Sequence, residues 1–330
     1  MLAFFRNNHS TTAFILAVYI ALLRLPAILG WVAPPEAATD DGGLLYMDLL
    51  GHLHDNPFFS AVLATALVYI QALAINWLTD HYRILDNRNW YPGALYGFAA
   101  SCIPDFLFLS PTLVAVTFIP FALWSIFGVY KQTLVLSAAF NSAFWITVAT
   151  LFYPPAVWLL PVAYLGLLNL RALSIQKQLV FFTGIIVPVF LTFTAYFWND
   201  QAIAFLQIQF TRWLHSPAFQ YSWDFYNTLK ILFLSALLLV SILGFNVYYF
   251  HKLIQVKKYI SILYWVILVS LATTLTHPEI RLEHALPAMP AVGIFLSLLG
   301  QSVRNTALAD LLHLGLLLIL FYIQFCPNIS

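Results

Sequence analysis

At 330 residues the chain is long enough for a sizeable core, yet only 8% of it is charged, while 62% is hydrophobic and 17% aromatic. A soluble domain carries about 25% charged residues, so this composition excludes a water-soluble globule. The net charge of +1 excludes the basic footprint of a nucleic-acid binder. The apolar runs have the length needed to cross a bilayer as helix, whereas a membrane β-barrel would show short alternating segments. The expected fold is an all-α, polytopic transmembrane helix bundle, one membrane domain over residues 1–330.

The first expected span, 11–31, lacks a small-residue cleavage site after it and reads as a retained helix. It holds Arg24, within IALLRLPAILG. A charge at that depth faces a partner or a wet cavity, where its fork of donors suits a substrate phosphate or pyrophosphate. The competing reading has it snorkel to the headgroups.

Segment 32–57 follows and is acidic, with Glu36, Asp40, Asp41, Asp48 and Asp55. Asp40 and Asp41 precede a Gly-Gly pair. Adjacent carboxylates before a flexible pair can hold a divalent metal with a phosphate ligand or supply a catalytic base, though Asp-Asp-Gly-Gly is also an ordinary turn. In LLYMDLLGHLH the apolar positions recur at helical spacing, which predicts an interfacial amphipathic helix. His52 and His54 diverge on a helix, so a polar interface outweighs a metal site, and no metal site is assigned.

Further spans are expected at 58–78, 92–108, 111–130, 134–152, 155–170 and 179–198. Ser-Pro at 110–111 and Tyr-Pro-Pro at 153–155 mark tight turns between antiparallel neighbours. Asp105, in CIPDFLFLSP, ends the third span; it can pair with Arg24, act as a second site acid, or simply cap a loop. Cys102 falls in that span and Cys326 near the end of the chain, which is neither a disulfide framework nor a metal spacing. Segment 199–228 is apolar but broken by Arg212, His215 and Pro217, and reads as a second interfacial segment with Trp213, Tyr221 and Trp223 at headgroup level. The last spans are 229–250, 259–276, 285–301 and 308–325, making about eleven. Asn141, Asn169, Asp310 and His313 suit interhelical hydrogen bonds.

Between the ninth and tenth spans, THPEIRLEHALPAMP concentrates His277, Glu279, Arg281, Glu283 and His284. If a helix starts after Pro278, Glu279 and Glu283 share a face and raise each other's pKa or bind a cation. If the stretch is extended, His277, Glu279, Arg281 and Glu283 point one way. Either geometry makes one wall of a polar, substrate-binding cavity. Plain capping is the rival, since acids are favoured at a helix N-terminus.

Lys and Arg set the orientation. With the N-terminus inside, the inner loops hold Arg6, Arg83, Arg88, Lys131, Arg171, Lys177, Lys252, Lys257, Lys258 and Arg304, against Arg212, Lys230 and Arg281 outside. This predicts N-in and C-out.

The stretches QALAINWLTDHYRILDNRNWYPGALYGF, LSPTLVAVTFIPFALWSIFGVYKQ, FNSAFWITVATLFYPPAVWLLPVAYLGLLNLR and EHALPAMPAVGIFLSLL, with Gln71, Asn76, Pro92, Tyr153, Pro154, Glu283 and His284, resemble an uncharacterised family of polytopic inner-membrane proteins from Bacteroidota. That resemblance implies a multi-pass protein of the bacterial inner membrane and supplies no catalytic residue. The layout of a first helix, an acidic outer loop with an amphipathic helix and many short-looped spans is similar to polyprenyl-phosphate-sugar-dependent membrane glycosyltransferases. In those, an Asp or Glu of the first outer loop acts as base or metal ligand; Asp40 and Asp41 occupy that position here, in a shorter loop.

The leading expectation is therefore an envelope enzyme handling a polyprenyl-phosphate-linked substrate at the outer face. Asp40, Asp41 and Asp105 would be catalytic, and Arg24, His277, Glu279, Arg281, Glu283 and His284 would bind substrate. Its expected partners are membrane lipid, polyprenyl phosphate and other membrane proteins, with no nucleic acid; the sequence leaves the cofactor open. A non-catalytic subunit of an envelope assembly or secretion complex is the second reading, and a lipid or solute transporter the third. There is no phosphate-binding P-loop, nucleophile elbow, zinc-helix motif or dinucleotide fingerprint.

Overall fold

The structure is a computed structural model that describes residues 2–6, 11–34, 42–130, 135–170, 174–211, 224–244, 248–250, 252–274, 281–303 and 305–325. All regular structure among the described residues is helical. Seven helices are long and apolar enough to cross a membrane: Pro57–His81, Val135–Phe152, Ile175–Trp198, Phe225–Leu243, Ile254–Thr274, Leu282–Ser302 and Ala307–Phe325. They meet seven of the expected spans, and the chain is a helical membrane protein. With no water inside a bilayer, helices that satisfy their own backbone are the economical solution for such apolar runs.

Four expected spans take other forms. Thr11–Leu23 and Leu25–Ile28 divide the first at Arg24. The fourth divides into Pro111–Val116 and Ile119–Phe127, and 155–170 opens with a 3-10 turn, Pro154–Trp158, before Leu159–Leu170. The largest correction concerns 92–108. Its α-helix runs only Tyr91–Ala99, nine residues, or roughly 13 Å of rise. Irregular chain and a single 3-10 turn, Pro104–Phe106, follow. Proline explains the break, since Pro104 and Pro111 lack an N–H and force the preceding residue into extended geometry; Ile103 and Ser110 are both extended. Cys102 thus lies in this non-helical chain, buried. Similarly, the helix expected at 229–250 ends at Leu243, where Gly244 meets Leu299.

Leu282–Ser302 is the central element, with 89% of its apolar window buried, against 22% for Ile175–Trp198 and 28% for Ala307–Phe325. It packs on Tyr91–Ala99, and Gly293 makes that possible: a Cβ there would sit 2.7 Å from Tyr96 Cα. Small residues at such crossings let backbones approach closely. Other close pairs are Val135–Phe152 with Ile175–Trp198 and Ile254–Thr274 with Leu282–Ala288.

Cross-helix bonds define two ends. At one end, Gly43 N–H donates to Phe152 O, Gln209 Nε2 to Thr150 O, and Leu109 N–H to Ser60 Oγ. At the other, Trp90 N–H donates to Phe5 O, Lys252 Nζ to Asp86 and Lys258 Nζ to Asn169 O. The described parts of both expected interfacial segments belong to the first end. Leu44–Leu50 buries Leu44 and Tyr46, and Phe205 of Ala202–Leu206 packs with Leu44, Leu151 and Tyr196.

Candidate functional site

The first end gathers polar side chains from separate parts of the chain. Arg281 is extended (φ −109°, ψ 143°) and precedes a 3-10 segment, Leu282–Ala288. Pro287 and Pro290 deny this stretch the donors of a regular α-helix. Neither expected template for 276–290 therefore holds over its described part: the chain is extended only to Arg281 and 3-10 after it. His277 and Glu279 lie outside the described residues.

Glu283 and His284 are both buried, at 4% and 0% exposure. This is not the geometry of acids capping a helix in water. His284 Nδ1 is 3.0 Å from the Tyr153 hydroxyl, and the two rings stack with 5.9 Å between centroids. Tyr153 is held extended ahead of Pro154 and Pro155 (φ −136°, ψ 94°), which turns its ring inward. The Arg281 guanidinium stands 3.9 Å from Glu283 Oε1. Tyr46 completes this wall. Its hydroxyl is 2.6 Å from His54 Nε2. Burial pushes the Tyr46 phenol up, and the negative charge of Glu283 pushes it the same way, so Tyr46 stays neutral and shares a hydrogen bond with His54.

Beside this wall runs the broken segment 100–110. The Pro104–Phe106 turn packs against Leu282–Ala288. Arg24 threads the break, fully buried. Its Nη1 donates to Ala100 O at 3.0 Å and to Ser101 Oγ at 3.4 Å, and its Nη2 donates to Phe106 O at 2.8 Å. Gln324 Nε2, from the last helix, donates to Ser101 O at 2.9 Å and Leu23 O at 3.3 Å. A break at membrane depth leaves carbonyls without helical partners; Arg24 and Gln324 supply the donors. Arg24 therefore does not snorkel, and it does not pair with Asp105.

Asp105 binds Lys230 instead, with Nζ 3.0 Å from Oδ2 and both side chains largely covered. Lys230 also lies 4.9 Å from the Tyr226 ring centroid. Its signal was present in the sequence as the single cation of an apolar helix, a residue type that seeks an acid partner. Tyr46 and Tyr153 carried no such signal, because only the fold brings them to Glu283 and His284.

Asp40 and Asp41 lie outside the described residues, as do Arg212, Trp213, His215, Tyr221 and Trp223. His52 is exposed while His54 turns to Tyr46. Among the described residues, no three His, Cys, Asp or Glu side chains stand together as metal ligands. Of the expected interhelical bonds, His313 makes one, with its Nε2 3.1 Å from the Tyr19 hydroxyl. Asn141 and Asn169 face outward on their helices instead. No family model, curated protein or solved structure matches the chain.

Proposed function

We propose that this chain is a multi-pass protein of the bacterial inner membrane, with about eleven passes, its N-terminus inside and its C-terminus outside. In this reading it is a glycosyltransferase-like enzyme for a polyprenyl-phosphate-linked substrate, with the Glu283 end facing outward. The burial of Glu283 and His284 against Tyr153 carries the reading. A carboxylate and an imidazole held inside a helical membrane protein are costly unless used or paired, and mark functional sites.

The chemistry divides among the residues as follows. Glu283 or His284 takes the proton of an acceptor hydroxyl. The hydroxyl oxygen bonds to the anomeric carbon of the sugar, the bond from that carbon to the phosphate oxygen breaks, and polyprenyl phosphate leaves. Arg281 offers a planar fork to the leaving phosphate. Asp40 and Asp41 precede in sequence Gly43, whose amide is anchored on Phe152, the neighbour of Tyr153. They supply a second base or hold a cation with the phosphate.

The second reading, a non-catalytic subunit of an envelope assembly, is favoured by the internal duties of Arg24 and Asp105. Transport finds less support, because the carbonyls of the broken helix are already taken by Arg24 and Gln324. The test is turnover of a polyprenyl-phosphate-linked sugar by the purified protein in liposomes, followed by mass spectrometry of the lipids. Asp41→Asn and Glu283→Gln should abolish product while the thermal midpoint holds. Parent protein inert in this assay, with both variants still complementing a deletion strain, would reject the enzyme in favour of the subunit.

A further inference from the structure

The opposite end of the bundle holds a second polar site, separate from the proposed function. A cavity of about 290 Å³ opens there, lined by Thr79, Asp80, Arg83, Asp86, Asn87 and Arg88 among others. That volume is close to the lower bound for ligand pockets of roughly 300 Å³, and suits a headgroup or a small anion better than a large metabolite.

Charge within the cavity is unevenly committed. Arg88 Nε is 3.0 Å from Asp80 Oδ1, and Lys252 Nζ is 2.6 Å from Asp86 Oδ1. Both carboxylates are thus matched by cations. Among the described residues, the Arg83 guanidinium has neither an ion-pair nor a hydrogen-bond partner, which leaves one surplus positive charge beside Asn87 and Thr79.

The backbone of Arg83 supplies an independent argument. The Pro57–His81 helix ends in a left-handed cap: Ile84 N–H donates to Thr79 O, Arg83 N–H to Asp80 O, and Arg83 has φ +48°. Glycine is the usual occupant of that position. Two other helices here end the same way, with Gly30 (φ +74°) and Asp200 (φ +57°) in the corresponding place. Gly adopts this conformation freely, and Asp tolerates it through its short polar side chain. Arg gains no such relief. Strain retained at a cavity edge points to a side chain kept for its chemistry. Interaction with the helix C-terminal dipole alone is the competing explanation.

We propose that this cavity binds a phosphate group, with Arg83 as its principal ligand and the Asn87 amide as a neutral donor. The group arrives either on a phospholipid of the adjacent leaflet or as a free phosphate. Arginine's fork matches phosphate geometry in both cases.

The experiment uses full-length protein and reads its thermal midpoint by tryptophan fluorescence. One arm titrates sodium pyrophosphate in detergent against sodium chloride at equal ionic strength. The other compares phosphatidylcholine vesicles with and without phosphatidylglycerol. A midpoint rise in the first arm assigns a free phosphate; a rise only in the second assigns a lipid headgroup. In either case Arg83→Gly should weaken the response about tenfold or more, the loss of one charge-assisted hydrogen bond, and Arg83→Lys should restore part of it. Arg83→Gly also removes the left-handed strain, so it folds with an unliganded midpoint at or above that of the parent. No rise in either arm, or an equal rise in Arg83→Gly, overturns the proposal.

Discussion

Lys230 and Asp105 form an ion pair of 3.0 Å between the helix Phe225–Leu243 and the broken segment 100–110, 125 residues apart in sequence. Removing one partner leaves the other charge covered and unmatched. Asp105→Asn and Lys230→Met should each destabilise the fold, while the double variant should recover part of the loss. A coupling of about 1–3 kcal/mol is expected for neighbours of this kind. Thermal unfolding of the four proteins in one detergent measures it, and strictly additive losses would mean the pair contributes nothing.

Arg24 answers to the backbone rather than to an acid. Arg24→Met keeps much of the volume but strips the donors from the Ala100 and Phe106 carbonyls. Each buried carbonyl left without a donor costs about 1–3 kcal/mol. The expected outcome is a large fall in thermal midpoint and in detergent-extracted yield, only partly corrected in Arg24→Lys. A variant as stable as the parent would show that the break does not depend on the guanidinium.

Gly293 and Gly300 make an internal comparison on one helix. A methyl at Gly293 would meet Tyr96 Cα at 2.7 Å, whereas at Gly300 the nearest atom is Leu95 Cδ1 at 3.8 Å. Gly293→Ala should therefore destabilise by about 1–3 kcal/mol, the range for overpacking. Gly300→Ala should be neutral or mildly stabilising, because alanine favours helix. Equal effects in a thermal melt would contradict the close crossing of Leu282–Ser302 and Tyr91–Ala99.

Tyr46 gives a prediction in pH. Its phenol is raised above its ordinary 10.0 by burial and by Glu283. Above that value the unfolded chain has lost a proton that the folded chain keeps, so stability falls as pH rises. Below it the contribution is complete. Melts between about pH 8 and pH 11 should show the parent losing more stability than Tyr46→Phe across the alkaline half. Parallel curves would mean that the phenol is not held in the way described.

The sequence makes the long apolar helices legible because periodicity and length are enough to specify them. Leu282–Ser302, Val135–Phe152 and Ile175–Trp198 stand within a few residues of expectation. The break after Ala99 was not legible, although Pro104 and Pro111 were visible. Apolar composition continues through Ile103–Ser110 and masks the change of backbone, since hydropathy does not record hydrogen bonding. In the candidate site, Arg24, Asp105, Arg281, Glu283 and His284 were recognisable as ionisable groups in an oily chain. Their partners were not, because Phe106 O, Lys230 and Tyr153 are distant in sequence and belong to other elements. The strained cap at Arg83 was invisible for a further reason, as only backbone torsion distinguishes it from any basic loop residue.

The bond from Gln324 to Ser101 spans 223 residues. Translation at about 5–20 residues per second separates the two by roughly 10–45 s. During that interval the break has Arg24 but not its second donor. Membrane insertion is thus a process whose final helix closes a polar seam opened by the third, and a ribosome stalled before residue 324 would release a chain with an uncovered carbonyl inside the bilayer.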